Sequence, residues 1–404
     1  MKIACVGAGP AGLYLSILMK LRDQGHDITV FERNATNSTS GWGVTFGRGL
    51  LSTLYDQDAT SARAIEEAAF MWGDQVTHIR GEAIVAPGGG TYSISRRRLL
   101  DILDARAREL GVSVEHGRKI MALSELPTAD LIVAADGVSS RIRQAAGSFQ
   151  TSQVSDRNKY IWLGTEKVFG EFNFLVELTH HGWICAHAYG IDSDSSTFIV
   201  ECTPETWTGL GFDVMSTDDA LPILEGIFKE HLDGHRLIGE LGNGSKAQWL
   251  NFLTISNQQW HSGNIVLIGD SAHTAHYSIG MGTTLAIADV IALAGHLHQH
   301  NDMELALSSY EKQRQHEILP TLAEARCSAL WFANIARYTD LSPRKFAVLL
   351  YARRSPLIAI LPPSVSYLLR RAAESIGFLN NVRDRIAPIV KVLYGRRNPA
   401  LYPG

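Results

Sequence analysis

The sequence has few cysteines, no long apolar run and no large excess of either charge. Its four cysteines, among 404 residues, show no C-x-x-C spacing. The scattered positions of these cysteines argue against a zinc site or a disulfide framework, and we expect no metal centre. No stretch of about 20 uncharged apolar residues occurs, so we expect no membrane-spanning helix. The formal net charge of −4 gives no reason to expect a nucleic-acid partner.

The composition is typical of a globular enzyme. Apolar residues make up 45% of the chain and charged residues 19%, and the length allows one large or two ordinary domains. The first residues resemble a strand followed by glycines rather than a basic leader with a cleavage site. We therefore expect a cytoplasmic protein.

The order of strand-like and helix-like segments predicts an α/β fold. Lys2–Val6 and Ile28–Glu32 resemble parallel strands around a helix, and this pattern returns at Ile265–Ile268. Between them, successive strands without helices indicate an antiparallel sheet. We predict a Rossmann-like dinucleotide-binding domain with an inserted, mainly antiparallel β-sheet substrate domain and a helical C-terminal region. The predicted bounds are 1–155 with 259–335, 156–258 and 336–404, with part of 71–91 joining the inserted sheet.

The first motif that carries chemistry is Gly7-x-Gly9-x-x-Gly12, with Glu32 at the end of the next strand. Gly7 permits the tight turn, Gly9 lets the backbone approach a pyrophosphate, and Gly12 permits close packing of helix and strand. Glu32 is placed to bind a ribose. The motif predicts dinucleotide binding without distinguishing FAD from NAD, and an ordinary strand–helix turn is the alternative.

Two further motifs follow predicted strands. Asp136-Gly137 ends one strand, and Gly269-Asp270 ends another, shortly before Gly280-Met281-Gly282-Thr283. A carboxylate at a strand end can bind sugar hydroxyls, and the free amides at a helix start can face an electron-rich ring edge. Each motif alone is also compatible with a simple turn or a capped helix.

The three motifs in this order resemble those of the class A flavoprotein monooxygenases, of the para-hydroxybenzoate hydroxylase type, over most of residues 1–335. The resemblance implies FAD as cofactor and NADPH or NADH and dioxygen as co-substrates. It also implies transfer of a hydroxyl group from a C4a-hydroperoxide to an activated ring. An R-x-x-L pattern at Arg96 completes the set. The implied cofactor-binding residues are Gly7, Gly9, Pro10, Ala11, Gly12, Glu32, Arg33, Gly43, Val44, Arg96, Asp136, Asp270, Gly280, Gly282 and Thr283.

Four segments are similar to one subgroup of that family, which contains salicylyl-CoA 5-hydroxylase, anthraniloyl-CoA monooxygenase and the violacein-pathway hydroxylase. They are Gly41–Val44, Arg157–Trp162, His187–Tyr189 and Ser196–Cys202. The resemblance implies an aromatic substrate, with an aryl-CoA such as salicylyl-CoA leading and a tryptophan- or indole-derived intermediate as the alternative. A halogenase of this fold would carry a W-x-W-x-I-P segment, which is missing. A non-catalytic FAD-binding protein remains a further alternative.

Several side chains are candidates for the substrate pocket. An electron-releasing hydroxyl or amino group on the ring could lose its proton to a base, and His187 and His276 are candidates for that base. Aromatic side chains stack well on planar substrates. The pocket candidates are Trp162, Trp183, Tyr189 and Tyr277. The two histidines and the two tryptophans could instead be ordinary core or loop residues.

The C-terminal region is basic, with 12 lysines or arginines and three acids from Arg337 to Gly404. Lys159 and the pair Arg353-Arg354 could meet the phosphates of a CoA substrate or form a solvated basic face. The apolar segment Ser355–Leu369 could lie on a membrane surface or pack on the protein body or a dimer partner. A monomer and a homodimer are both compatible with the sequence.

Overall fold

Two β-sheets organise the computed structural model, which describes residues 1–36, 38, 41–242 and 244–375. The strands are β1 (Lys2–Val6), β2 (Asp27–Phe31), β3 (Gly43–Gly47), β4 (Phe70–Ile79), β5 (Glu82–Ser95), β6 (Ser113–Glu115), β7 (Leu131–Ala134), β8 (Thr151–Thr165), β9 (Phe172–Thr179), β10 (Gly182–Gly190), β11 (Ser196–Cys202), β12 (Leu237–Ile238), β13 (Leu250–Asn257), β14 (His261–Ser262) and β15 (Ile265–Leu267).

Helices cover both sheets. They are α1 (Pro10–Arg22), α2 (Arg48–Gln57), α3 (Ala59–Ala68), α4 (Arg96–Glu109), α5 (Arg141–Ala146), α6 (Pro204–Gly209), α7 (Thr217–Ile227), α8 (Lys229–Leu232), α9 (Gly282–Gln299), α10 (Met303–Ala333), α11 (Pro343–Tyr351), α12 (Pro356–Ile360) and α13 (Pro363–Ser375). Short 3-10 turns lie at Leu123–Glu125, Gly269–Ser271, Tyr277–Ile279 and Ile335–Arg337.

The first sheet has the strand order β14-β15-β7-β1-β2-β6, and only the β14–β15 pair is antiparallel. Its central strands are apolar on both faces because helices cover both sides, as parallel sheets require. Helix α1 follows β1 at once and packs against α9, and α10 packs on α9. The predicted Rossmann-like unit is confirmed. The carboxyl ends of β1, β2 and β7 therefore open on one edge of the sheet.

The second sheet has the order β12-β8-β11-β10-β9-β4-β5-β3, with β13 also paired to β8. Its pairs are antiparallel except β4 with β9. The strands β4 and β5 contain residues 71–91, and β3 also joins this sheet although it lies far from 156–258 in sequence. The division into domains at the predicted residue bounds remains our proposal.

The side chains of β10 alternate between the two faces of this sheet. Ile184, Ala186 and Ala188 pack in a core with α7, while Cys185 and His187 point to the opposite face. We call this opposite face the inner face. It carries the candidate site.

The C-terminal helices cover part of the inner face. Phe174 and Val176 of β9 pack with Trp331 and Phe332 of α10 and with Phe346 of α11. The segment Ser355–Leu369 contains α12 and the first part of α13. Pro362 and Pro363 separate them because proline cannot continue the hydrogen-bond ladder. The predicted helical character of 376–404 lies outside the described residues. No helix of the described chain is both long and apolar enough to cross a membrane.

Candidate active site

A cleft of about 370 Å³ opens at the carboxyl ends of β1, β2 and β7. Local sequence builds it, because each of these strands ends in a glycine-containing or polar turn. The predicted cofactor residues that line it are Gly7, Gly9, Glu32, Arg33, Arg96, Asp136 and Asp270. These residues come from five separate parts of the chain. Pro10, Ala11 and Gly12 follow in the first turn of α1, and Ala11 and Gly12 are buried.

The three glycines of the first motif have different spatial roles. Gly7 has a φ of +107°, and a Cβ built there would lie 2.3 Å from the Ala135 carbonyl oxygen. A Cβ on Gly12 would lie 2.0 Å from the Gly7 carbonyl oxygen. A Cβ on Gly9 would meet no atom within 4 Å. Gly7 and Gly12 therefore shape the turn, while Gly9 leaves open space in front of the α1 N-terminus, where a phosphate is favoured.

Glu32 holds the glycine turn in place. Its Oε2 atom accepts a hydrogen bond from the Ala8 amide at 2.9 Å, and its Oε1 atom accepts one from the Asn34 amide at 2.8 Å. Each carboxylate oxygen can accept more than one hydrogen bond. The side chain can thus order the turn and still bind sugar hydroxyls.

Arg96 and Asp270 both line the cleft and are close enough to affect each other's pKa. The buried Nε atom of Arg96 has no hydrogen-bond partner in the part of the chain that the structure describes. Burial lowers the pKa of Arg96, and Asp270 partly offsets this shift. Burial likewise raises the pKa of Asp270, against the opposing effect of Arg96. An unpartnered guanidinium N–H beside a cleft suits a phosphate or another anionic oxygen.

Asp136 mainly caps a helix. Its Oδ2 atom accepts from the Arg141 amide at 2.6 Å, and its Oδ1 atom accepts from the Ser140 hydroxyl. Both contacts lie at the N-terminus of α5, where a carboxylate is stabilised by the free amides. Asp136 therefore fixes one wall of the cleft.

A second group of predicted cofactor residues meets where β3 approaches the start of α9. A Cβ on Gly280, whose φ is +65°, would lie 2.4 Å from Thr45 Oγ1. The strand residues Gly43 and Val44 are adjacent to Thr45, and Gly282 with Thr283 begins α9. The hydroxyl of Tyr189 donates to the Gly43 carbonyl oxygen at 3.1 Å. This contact joins β3 to the inner face of the second sheet.

The inner face next to this junction is aromatic. Gly164 and Gly41 leave room for Trp42 and Trp162, because a Cβ on either glycine would come within 3.0 Å of an indole ring. Tyr277 packs its ring 4.7 Å from Tyr160, measured between centroids. The predicted pocket residues Trp162 and Tyr189 lie on this face by strand register, and Tyr277 contacts the face through Tyr160. Trp183, at the other end of β10, packs instead with the cluster of C-terminal helices.

A buried carboxyl group, Glu201, lies at the centre of the inner face. Its Oε2 atom accepts from the Tyr277 hydroxyl at 2.7 Å, and its Oε1 atom accepts from Asn158 Nδ2 at 2.8 Å. His187 Nε2 lies 3.7 Å from Oε2, and no described residue forms a hydrogen bond with it. Burial raises the pKa of Glu201 to about 7, and the bonds from Tyr277 and Asn158 limit the rise.

Burial lowers the pKa of His187 and of His276, whereas it raises the pKa of Glu201. Burial and the nearby Arg353 cation hold the pKa of His187 well below its usual range. Burial, together with Arg326 and Arg353, lowers the pKa of His276 to about 3. His276 Nδ1 lies 2.8 Å from Ser278 Oγ, and Nε2 lies 3.8 Å from Asp156. Both imidazoles are therefore neutral at physiological pH.

The sequence hypothesis for Arg353 needs correction. Arg353 is buried and neither solvated nor open to phosphate, because it donates to the Ser278 carbonyl oxygen and to the Ser328 hydroxyl. Lys159 donates to Asn251 Oδ1 at 2.6 Å and stacks over Trp207. Its register partner Cys202 belongs to the core on the other face of the sheet. Lys159 therefore points away from the inner face.

Sequence reasoning missed Glu201, Asn158 and the buried role of Arg353. A signal for Glu201 was present, since it is the one carboxylate in the otherwise uncharged strand β11 and shares a face with Thr197 and Ile199. Its proximity to Tyr277, 76 residues away, has no local signal.

Comparisons with known proteins agree with this architecture. The FAD binding domain family matches residues 125–318. The chain is 35% identical over 368 residues to a salicyloyl-CoA 5-hydroxylase of a Streptomyces species, covering 88% of this chain and 70% of the relative. It is 35% identical over 338 residues to the 3-hydroxy-4-methyl-anthranilyl-[aryl-carrier protein] 5-monooxygenase of Streptosporangium sibiricum, covering 83% and 90%.

A third relative and a solved structure extend the comparison. The chain is 30% identical over 380 residues to protodeoxyviolaceinate monooxygenase of Chromobacterium violaceum, covering 92% of this chain and 100% of the relative. The structure of p-nitrophenol 4-monooxygenase from Pseudomonas putida superposes with a TM-score of 0.70 at 16% identity, covering 96% of this chain and 97% of that one. At 16% identity, the similarity to the p-nitrophenol 4-monooxygenase structure shows a shared fold.

Proposed function

Since this chain belongs to the class A FAD-dependent aromatic monooxygenases, we propose that it hydroxylates the ring of an aryl thioester, with salicyloyl-CoA as the leading substrate. The family assignment makes it an enzyme that uses FAD and NADPH or NADH. The observation that carries the substrate proposal is the polar and aromatic inner face beside the Gly43 and Gly280 junction, together with the thioester substrates named for two relatives.

FAD fits the residues that are present. We propose that Gly9 and the α1 N-terminus receive the pyrophosphate, because a side chain on Gly9 would fill open space there. Arg96, with its unpartnered Nε atom, and Asp270 would hold neighbouring parts of the cofactor. Gly43, Val44, Gly280, Gly282 and Thr283 would surround its ring. When bound, FAD supplies the electron transfer and oxygen chemistry of the reaction.

The protein's own contribution is to position the ring, exclude water and control protons. We propose that Trp162, Tyr189 and Tyr277 line the substrate pocket, with Trp42 as an additional wall. His187 and His276 are proposed to contact the substrate as neutral hydrogen-bonding groups, since burial disfavours their charged forms. No nucleophilic side chain is needed. Ser271 and His273 do not form a nucleophile–base pair, because Ser271 Oγ donates to the Ile268 carbonyl oxygen and His273 pairs with Asp289.

The assay follows NADH and NADPH oxidation in air, with product mass measured for salicyloyl-CoA, anthraniloyl-CoA, free salicylate, tryptophan and simple indoles. We expect one aryl-CoA to accelerate oxidation and to gain one oxygen atom. The same aryl group should also be tested as a thioester on a carrier protein. The CoA and carrier-protein forms share the aryl thioester and differ in the molecule to which it is attached. Turnover of free indoles alone would contradict the proposal and favour an indole-derived substrate, as in the violacein-pathway relative.

A further inference from the structure

Glu201 is a buried carboxyl group with an unusually complete polar surrounding. Its side chain is about 1% exposed, and both oxygens already accept hydrogen bonds from Tyr277 and Asn158. A buried carboxyl group is costly unless it is hydrogen-bonded or neutral. Because this one lies on the aromatic inner face rather than in a surface ion pair, its burial calls for a functional explanation.

Every element packed around Glu201 contributes a titratable or charged group. Strand β10 contributes Cys185 and His187, strand β8 contributes Asp156 and Tyr160, and the 276–278 turn contributes His276 and Tyr277. Two cations lie nearby: Arg353, just after α11, and Arg326 of α10, which pairs with Asp156 at 3.0 Å. Arg353 is also buried, and its Cζ atom lies 4.9 Å above the Phe174 ring. The guanidinium favours a negative charge on Glu201 and disfavours a second positive charge on either histidine.

The pKa values divide these groups into one suitable proton acceptor and two poor ones. A general base works best when its pKa lies near the working pH. Burial raises the pKa of Glu201 to about 7. The pKa of His276 falls to about 3, and that of His187 lies well below its usual range. Of these three groups, Glu201 is thus the one poised to gain and lose a proton near neutral pH. Burial also raises the pKa of Asp156, but that carboxyl group is paired with Arg326 at 3.0 Å.

Tyr277 connects this carboxyl group to the site of chemistry. Its hydroxyl reaches Glu201 Oε2 at 2.7 Å, while its backbone lies three residues before Gly280 at the β3 junction. The ring is only partly buried, and it contacts Tyr160, His276 and Phe252 by its faces and edges. Tyr277 therefore spans from the junction proposed to surround the flavin ring, next to which a substrate ring would lie, to the buried carboxylate.

We propose that Glu201 accepts the proton of the substrate's ring hydroxyl group through Tyr277. The substrate O–H bond breaks as its proton passes to the Tyr277 oxygen, and the Tyr277 proton passes to Glu201 Oε2. The electron pair stays on the substrate oxygen, which activates the ring, and Glu201 becomes a neutral acid. Tyr277 contacts the substrate, whereas Glu201 acts through it as a positioning residue. This inference rests on the proposed function.

The alternative role for these side chains is to bind a metal ion. One ligand atom each from Cys185, His187 and Glu201 lies within 4.8 Å of the other two. The neighbouring Arg353 cation opposes a second positive ion, and burial keeps the Cys185 thiol protonated by raising its pKa. Glu201 also has both oxygens engaged by Tyr277 and Asn158. The proton-acceptor role requires none of these contacts to change.

The test uses the FAD-loaded enzyme and salicyloyl-CoA. Without reduced nicotinamide, the phenolate absorbance of the bound ligand is titrated with pH in the wild type, Glu201→Gln, Tyr277→Phe and the double variant. We expect the midpoint to rise by about one pH unit or more in each single variant, and no further in the double variant. Glu177→Gln is the matched control, because Glu177 is another sheet carboxylate that pairs with a histidine, His231, at 2.8 Å. Its midpoint should equal that of the wild type.

Turnover gives a second readout. We expect kcat of Glu201→Gln to fall roughly 100-fold near neutral pH while KM changes little, and the pH dependence of kcat to lose its limb near pH 7. Glu201→Asp should retain part of that limb. Glutamine keeps an oxygen that accepts from Tyr277, so a purely structural role would leave the pH profile in place.

The possible outcomes separate a failure of the proton relay from a failure of the proposed function. If Glu201→Gln binds salicyloyl-CoA with an unchanged midpoint and pH profile, Glu201 is not the acceptor. If Glu201→Gln fails to fold, Tyr277→Phe carries the test, and a wild-type midpoint in that variant overturns the relay. If the wild-type enzyme itself neither ionises nor hydroxylates salicyloyl-CoA, the proposed substrate is wrong and the relay falls with it.

Discussion

Arg353 donates a hydrogen bond from Nη2 to the Ser278 carbonyl oxygen at 2.7 Å, which ties the C-terminal helices to the turn before α9. Its Nε atom donates to Ser328 Oγ at 3.0 Å, and the neighbouring Arg354 donates to the Ile279 carbonyl oxygen at 3.0 Å. That turn carries Tyr277 and leads into Gly280. The geometry of the candidate site therefore depends on a segment about 75 residues further along the chain.

Replacing Arg353 with methionine should loosen this turn. Buried carbonyl and hydroxyl groups would lose their donor, at a cost of about 1–3 kcal/mol, so we expect a lower Tm and weaker FAD retention. Thermal unfolding and flavin content of the purified protein measure the two effects. Arg344→Met is the control, since Arg344 is exposed on α11. Equal Tm values for Arg353→Met and Arg344→Met would contradict the proposed coupling.

Substitutions at Gly9 and Gly12 should separate cofactor binding from folding. Gly9→Ala places its methyl group in open space and requires no unusual φ, so we expect a folded protein that binds FAD at least about 10-fold more weakly. Gly12→Ala places its methyl group 2.0 Å from the Gly7 carbonyl oxygen and should destabilise the fold itself. Circular dichroism of the apoproteins and flavin titration distinguish the two. Normal FAD affinity in Gly9→Ala would argue against the phosphate position.

Loss of the Arg96 guanidinium should weaken FAD binding. Arg96 lines the cleft and its Nε atom has no partner among the described residues, and a charge-assisted hydrogen bond from the guanidinium to a ligand contributes about 1.5–3 kcal/mol. We expect Arg96→Met to raise the Kd for FAD by roughly 10- to 100-fold. Arg98→Met provides the comparison, because Arg98 is exposed two residues further along α4. A similar Kd in both variants would remove Arg96 from the cofactor site.

A buried ion cluster under the site should govern stability in acid. Asp289 accepts hydrogen bonds from His273 at 2.9 Å and Arg314 at 2.8 Å. Burial alone would raise the pKa of Asp289, but His273 and Arg314 hold it below its usual range. A depressed folded-state pKa gives stability that is present above the unfolded pKa, near 4, and is lost as pH falls through the folded value.

The loss of stability caused by Asp289→Asn should therefore depend strongly on pH. At pH 7 we expect a destabilisation of about 3–5 kcal/mol, since one partner of a buried ion pair is removed. The difference in Tm from the wild type should shrink as the pH is lowered below about 4. Asp218→Asn, which breaks the exposed pair with Lys246, should change Tm little at any pH. A pH-independent loss in Asp289→Asn would contradict the ionic explanation.

The cofactor cleft was largely predictable because its parts are local. Gly7, Gly9 and Gly12 are spaced within a single turn, and Glu32 ends the next strand, so backbone conformation and short spacing carry the information. By contrast, nothing near Arg353 in sequence indicates that it is buried against Phe174 and Phe332.

Sequence by itself determined the two kinds of sheet, the glycine turn and the family of chemistry, because these depend on side-chain periodicity and on backbone freedom over a few residues. Tertiary structure alone decided that Glu201, Tyr277 and Arg353 meet on the inner face. Their contacts depend on strand register and on how the C-terminal helices pack, and those are set by the whole hydrophobic core. The same burial also determines which carboxyl group can exchange a proton near neutral pH, since desolvation depends on neighbours from distant parts of the chain.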